Sequence, residues 1–448
     1  MSLTLNQTYP SALVGRRAHL LTSSATIIII VVFTAFTLAT SYFGLKLFFI
    51  PLGLVCWFFM TKFPEIALGC LMVVGTFKGA PQLEGSLIDL TVALVLAIVW
   101  CMGRAFLNKS SISVPREFWF YGPILFMMLL SLLYTPDLSG GIDKTARFFI
   151  ICGVAILGPF AVLTTQARLR RFFWTLLMAA LIASAMSLPM LGGRARLTAP
   201  GGDTIQLGHV AAVGIAIVWF GLMPGRKLLV RLILYGCIAV LAVALVGSGS
   251  RGPIIALGAA ILISIWQRRR VGFTVPQLLF DSVFLFGMVI LVLPFVHIPK
   301  ESIDYLGRLL SFKSTAAYLG PRAGLLQLGW ELTLAHPLTG VGIGGFPGLY
   351  TDVGKWPHSI PLEIGSELGL LAALSFCCLL FLALMTAFRE FVSGEDGSRT
   401  IRNLMFCFIV IVTISMLNTG NLNDNRQLWT ALSLPFLFRA ARIAGTPG

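Results

Sequence analysis

The chain has 448 residues, 57% hydrophobic and 11% charged, with a formal net charge of +15 and a mean hydropathy of +0.90. A soluble globular domain carries about 25% charged residues, so composition excludes a soluble fold. The basic residues are spread over many short loops instead of forming one stripe with interleaved aromatics, which argues against a nucleic-acid partner.

Apolar runs of about 17 to 22 residues recur from Ala25 almost to the C-terminus, each able to cross a hydrocarbon core of roughly 30 Å as a helix. They do not alternate with period two, so helices rather than a barrel are expected. The runs fall at roughly 25–43, 46–61, 64–79, 86–106, 117–134, 145–165, 172–191, 206–223, 228–247, 252–266, 278–296, 360–388, 402–420 and 426–440. The short third and tenth are open to merging or to a re-entrant path. The expected fold class is therefore all-α: one polytopic transmembrane bundle over residues 1–448 with about 12 to 14 spans. The first run follows Arg16, Arg17 and His19, but it is long and lacks a small-residue cleavage site, so it reads as an uncleaved span. All eight cysteines lie in or beside apolar runs, which argues against disulfides and zinc.

With a cytoplasmic N-terminus, the cytoplasmic loops carry Arg104/Lys109/Arg116, Arg168/Arg170/Arg171, Arg226/Lys227/Arg231, Arg268/Arg269/Arg270 and Arg389/Arg399/Arg402, as the positive-inside rule requires. The C-terminus is then cytoplasmic too. The same order puts 297–357 outside, with the shorter connections around Arg194/Arg196, 248–252 and 421–426. The 297–357 segment is the one long loop, and long loops in compact proteins tend to carry function.

Three constellations on that outer face have chemical potential. In GSGSRGP, residues 247–253, Pro253 suits the first turn of a helix and Ser250 is placed to cap it, leaving free amides beside Arg251 for an anion; a tight turn with a snorkelling arginine is the alternative. In GPRAGLLQLGWELTLAHPLTGVGIGGF, residues 320–346, Arg322, Leu325, Leu326, Gly329, Trp330 and Leu334 recur at helical spacing, and His336-Pro337 ends the pattern. That predicts an amphipathic helix at the membrane boundary, with Trp330 as an interface anchor. Gly340, Gly342 and Gly345 formally spell GxGxxG but lack the strand, helix and acidic partner of a dinucleotide fold, and read as a tight return onto the spans.

The third constellation is KWPHSIPLEIGSEL, residues 355–368, where His358 precedes a helix beginning near Ser359, and Glu363 and Glu367 share one face. Glu363 fits a helix-dipole role. Glu367 lies a turn deeper, where a carboxylate needs a partner, and an arginine of the outer cluster is the expected one. His358 stands beside carboxylates and basic loops at a membrane boundary, a setting that suits an imidazole to proton exchange. His209 and His297 read as packing or boundary residues and His336 as a helix stop. The sequence contains no DxD, no HExxH and no Cys/His ligand spacing, so no metal or cofactor is expected and phosphate charge falls to arginine and lysine.

In order and spacing, Ser250-Arg251-Gly252, Arg322 with Trp330, His336-Pro337, Gly340-Val341-Gly342, Gly344 with Phe346, His358-Ser359, Leu362-Glu363 and Glu367-Leu368-Gly369 resemble the O-antigen ligase and O-antigen polymerase family of bacterial membrane glycosyltransferases, over about 240–380. The resemblance implies transfer of a glycan from an undecaprenyl-diphosphate carrier to an acceptor hydroxyl on the periplasmic face of the bacterial inner membrane, without nucleotide sugar or metal. Its partners would be that lipid-linked donor, a lipid A core or growing glycan as acceptor, and membrane lipids. Arg251 and Arg322 match arginines that grip the diphosphate, and His358 matches a histidine near the acceptor. Arg194 and Arg196 lie where such proteins carry another basic contact, though no motif fixes their alignment. Preorganised cations would stabilise the leaving diphosphate while a base orients or deprotonates the acceptor, and displacement opposite the leaving group would invert the anomeric centre.

The single dominant outer loop and the short 191–206 connection favour ligase over polymerase, whereas about fourteen spans exceeds the dozen usual for ligases. Protein O-glycosylating relatives stay open. A lipid transporter or flippase is the non-enzymatic alternative, disfavoured because the polar groups cluster at the outer boundary and no inverted repeat is visible. A cell-wall polymerase would need a catalytic aspartate in an outer loop, and Asp352 stands in no recognisable context.

Overall fold

The computed structural model describes residues 49–78, 89–107, 114–191, 193, 195–223, 226–268, 315–349, 356–392, 399–417 and 421–443. The spans expected at 25–43 and 278–296, parts of the 297–357 loop, Arg194, His297 and Asp352 lie outside the described residues. All regular structure among the described residues is helical: α1 (Phe49–Lys62), α2 (Pro64–Phe77), α3 (Leu90–Leu107), α4 (Tyr121–Ser131), α5 (Leu138–Val162), α6 (Gln166–Met190), α7 (Thr204–Leu222), α8 (Leu228–Gly247), α9 (Arg251–Arg268), α10 (Thr315–Ala335), α11 (Gly345–Leu349), α12 (Ile360–Leu368), α13 (Leu370–Val392), α14 (Arg399–Leu417) and α15 (Arg426–Ile443).

Six of these, α3, α5, α6, α7, α8 and α13, are long and apolar enough to cross a membrane, and Cys56–Lys62 with Pro64–Phe77 makes a seventh if that pair is one bent span. Two shorter apolar stretches, Arg251–Ile263 and Thr400–Ser415, add to the bundle. Among the described residues the count of full-length spans thus stays below twelve.

Local sequence explains the irregularities. The pair α1–α2 bends by 112° at Phe63, whose φ of −125° and ψ of 66° lie outside the helical region; Pro64 follows, lacks an N–H and disfavours helical geometry in the residue before it. Inside α5, Pro159 leaves the Ala155 carbonyl without its helical donor, and the Thr430 hydroxyl supplies one at 3.0 Å. Ser433 likewise donates to Ile156 O at 2.9 Å. In a lipid setting such repairs are needed wherever a helix is interrupted. The run expected as one span over 360–388 is broken at Gly369, whose φ is 84°. A Cβ there would stand 2.5 Å from Leu338 O, so only glycine lets the chain turn that close to the loop.

The core centres on Trp429 of α15, fully buried, with ring centroids 5.3 Å from Phe148 of α5, 5.7 Å from Phe376 of α13 and 5.9 Å from Tyr121 of α4. Segments expected on the outer face meet at one end. Leu197 N donates to Gly247 O at 2.9 Å and Gly201 N to Thr76 O at 2.9 Å, while Asn423 donates to Lys144 O at 2.9 Å. A separate cluster joins the start of α2 to the start of α6, where Arg171 Nε lies 2.9 Å and Arg168 Nε 4.0 Å from the Glu65 carboxylate. Residues assigned by charge to opposite sides of the membrane therefore gather into two separate groups.

Candidate functional site

The Ser-Arg-Gly turn is built by three connections. Gly249, with φ of 61°, reverses the chain after α8, and the Ser248 hydroxyl donates to Leu245 O at 2.7 Å while accepting from Ser250 N at 3.2 Å. Arg196 braces this turn, with Nε donating to Ser248 O at 2.7 Å and Nη2 to Ser250 Oγ at 3.3 Å. Ser250 precedes α9 as read from sequence, but its hydroxyl donates to Thr204 O at 3.0 Å, tying the turn to α7. The approach of α7 depends on Gly208, where a Cβ would stand 2.8 Å from Ser248 Oγ and 2.9 Å from Ser250 Cβ. Arg251 is the first residue of α9 and half-buried, with Pro253 in the first turn as expected. Arg196 and Arg251 are thus brought to one turn, and part of Arg196's hydrogen-bonding capacity holds that turn together.

Helix α10 carries Arg322, Gly329 and Trp330. Leu325, Gly329, Leu332 and Thr333 are buried, whereas Trp330 and Leu334 are exposed; the expected single stripe is therefore two. The buried stripe meets α12, because a Cβ on Gly329 would lie 3.1 Å from Pro357 Cβ and 3.6 Å from Leu362 Cβ. By helical period the backbone of Arg322, seven residues before Gly329, falls on that same stripe. Exposed Trp330 fits the expected anchor at a membrane boundary.

Helix α10 stops at Ala335, just before His336-Pro337, and the glycine-rich segment returns the chain onto the bundle. Gly340, Gly342 and Gly344 all have positive φ. Val341 N donates to Ser366 O at 2.8 Å and Gly342 N to Glu367 O at 3.0 Å, capping carbonyls at the end of α12. The far side of the return is held by Tyr134, donating to Thr339 O at 2.5 Å, and by Thr135, donating to Ile343 O at 2.8 Å. Burial pushes the Tyr134 phenol upward, which keeps it a donor.

Where the chain leaves the loop, His358 has φ of 53°, alone among described non-glycine residues in being positive. That conformation costs an L-residue about 1–2 kcal/mol, and such strain collects at functional positions. Its ring lies 5.9 Å from Trp356, edge to face. Ser359 is the N-cap of α12 and Pro361 sits in the first turn.

Glu363 and Glu367 of α12 are each 1% exposed. Their partner is not an arginine of the outer cluster. Lys144 of α5 places Nζ 2.5 Å from Glu363 Oε1 and 2.6 Å from Glu367 Oε2. Glu363 Oε2 also accepts from Leu422 N at 2.9 Å. Sequence reading missed Lys144, although one signal was present: a lysine at the outer end of a span runs against the positive-inside trend and so calls for another reason to be there.

Among the described residues no three His, Cys, Asp or Glu side chains gather as a metal site. His209 is fully buried and its Nε2 pairs with Gln427 Oε1, which agrees with a packing role. Arg251 and Arg196 thus meet at one turn, while Glu363 and Glu367 of α12 meet Lys144 and His358 precedes that helix by two residues; the Arg322 side chain lies outside the described residues.

Residues 236–377 match the family described as O-antigen ligase. The match spans the Ser-Arg-Gly turn, α10, the glycine return, His358 and both carboxylates, and bears out the resemblance carried by those motifs. It supports a glycosyltransferase-type membrane enzyme of the ligase and polymerase kind. Lys144 and Arg196 lie outside the matched segment. No curated protein matches the chain.

Proposed function

We propose that this chain transfers a glycan from undecaprenyl diphosphate to the lipid A core on the periplasmic face of the inner membrane, as an O-antigen ligase. The observation that carries the reading is the family-matched segment, within which Arg251 starts a helix beside a braced turn and His358 stands strained at the head of α12. Arg251 and Arg322 bind the donor diphosphate, with Arg194 and Arg196 as further basic contacts. Preorganised guanidinium groups meet the charge that develops on the leaving diphosphate. His358 orients the acceptor hydroxyl and takes its proton as the new glycosidic bond forms. Backside displacement gives inversion, and the charge work needs no metal or added cofactor. Both termini lie in the cytoplasm.

The test is purified protein with undecaprenyl-diphosphate glycan in chelator, with and without a lipid A core acceptor. Product on the core supports ligation, lengthened carrier-linked glycan identifies a polymerase instead, and carrier movement in liposomes without transfer identifies a transporter. Arg251→Ala and Arg322→Ala are expected to weaken donor binding about tenfold or more, and His358→Ala to lower kcat about 100-fold with donor affinity kept. Unchanged donor affinity in both arginine variants rejects the clamp.

A further inference from the structure

Lys144 stands about 220 residues from its carboxylate partners in the chain and outside the family-matched segment. Its side chain is 15% exposed and each carboxylate 1%. One ammonium therefore serves two carboxylates a single helical turn apart, and Glu367 Oε1 has no hydrogen-bond partner among the described residues. Without the lysine, two buried acids would face each other across one turn of α12, where ionised like charges repel strongly.

Everything else around α12 is arranged about that helix. Its C-terminal carbonyls receive the glycine return, Leu422 binds Glu363 from the α14–α15 connection, and Asn423 of the same connection binds the Lys144 carbonyl. Gly365 takes Thr333 of α10 at a distance where a Cβ would stand 3.0 Å from Thr333 Oγ1. At the other end the helix begins two residues after His358, whose left-handed backbone persists only if the flanking structure holds it. Glu363 N donates to Ser359 O at 2.8 Å, so the first turn links the Lys144 contact directly to the histidine.

We propose that Lys144 is a positioning residue for the transfer reaction: through Glu363 and Glu367 it locks α12 onto α5 and thereby fixes where His358 presents its ring. The inference rests on the role of His358 given under Proposed function, and the experiment separates the two. In Lys144→Met, donor affinity and the number of donor sites per folded protein stay within about twofold, while kcat per donor site falls about 10- to 100-fold, the range spanned by misplacement of a reacting group. Lys144→Arg keeps the charge and recovers a large part of that loss. In a His358→Ala background, adding Lys144→Met produces no further fall, because both changes remove one contribution. Should Lys144→Met not accumulate as folded protein, the charge-free variant Lys144→Met/Glu363→Gln/Glu367→Gln takes its place, since removing all partners avoids an uncompensated buried charge. Wild-type kcat per donor site in a folded Lys144 variant overturns the positioning role, as do independent, multiplicative losses in the double variant. If His358→Ala itself transfers at the wild-type rate, the reading of His358 fails instead.

Discussion

Among the described residues, the acid–base clusters around Glu363/Glu367 and around Glu65 have opposite arithmetic. On the family-matched side, two carboxylates on one short helix share a single lysine supplied by α5. In the other cluster, one carboxylate, Glu65, also 1% exposed, faces two arginines three residues apart on α6. The arginines are 17% and 36% exposed, so part of their charge is solvated. Arg171 approaches to 2.9 Å, yet its Nε is not aligned as a hydrogen-bond donor. The second cluster is redundant in cations and tolerant of imperfect geometry. The first depends on one ammonium at two short, aligned contacts. That difference teaches where the fold places its precision: at the helix that starts beside His358.

Breaking the precise cluster should have the largest effect. Lys144→Met is expected to destabilise the folded protein by about 3–5 kcal/mol, the cost of stranding buried charge, read as a loss of thermal stability in detergent. Converting Glu363, Glu367 and Lys144 together to uncharged residues should recover most of it. Next, Gly340→Ala should cost about 2 kcal/mol or more, because φ is 62° and the added Cβ would stand 2.3 Å from the Glu367 carbonyl carbon; it would loosen the return that caps α12, and protease resistance of the loop reports it.

The redundant cluster sharpens the contrast. Arg168→Met should change stability by no more than about 0.5 kcal/mol, since its 4.0 Å contact is partly exposed and screened, and Arg171→Met by about 1–2 kcal/mol because it leaves Glu65 with the weaker partner. A drop after Arg168→Met as large as that after Lys144→Met would erase the distinction. The smallest effect belongs to an exposed pair, Lys78 and Asp89 at 3.1 Å. Burial works against the Asp89 charge, but the Thr91 amide and Lys78 outweigh it and hold the carboxyl below its usual range. A lowered folded-state value means this stabilisation is present above the ordinary aspartate pKa and is lost as pH falls through the folded value. Lys78→Met should therefore remove a few tenths of a kcal/mol near neutrality, with less difference from wild type in acid.

Much of the architecture was legible in order along the chain. His336-Pro337 announced the end of α10, Gly340 and Gly342 the return, and Ser-Arg-Gly the start of α9, because each of these acts through backbone geometry within a few residues. The bend at Phe63 has the same kind of local cause in Pro64, but the apolar pattern places only separate runs at 46–61 and 64–79. The grouping of Arg168 and Arg171 away from the Ser248–Gly249 turn followed from charge alternation. The single stripe expected on α10 divides into two, because Leu326, Trp330 and Leu334 repeat every four residues as convincingly as Leu325, Gly329 and Thr333. Hydrophobicity alone does not say which stripe meets protein and which meets lipid, as both environments are apolar.

The sequence by itself determined that this is a helical membrane protein, that Arg251, Arg322 and His358 fall in a family-like order, and that Glu363 and Glu367 share a face on which Glu367 needs a cation. Helical period, turn chemistry and the cost of buried charge are local or compositional, so they can be read without a fold. Only the tertiary structure decided which cation answered. Several basic side chains satisfied the electrostatic demand equally well on paper, and packing of the start of α5 against the glycine return, where a Cβ on Gly141 would stand 2.8 Å from Ile343 O, selected Lys144 by bringing its ammonium within 2.6 Å of both carboxylates. Arg196 was likewise assigned to the Ser-Arg-Gly turn by the approach of α7 and α8. Charge demands a partner, and its identity depends on which distant helices come into contact.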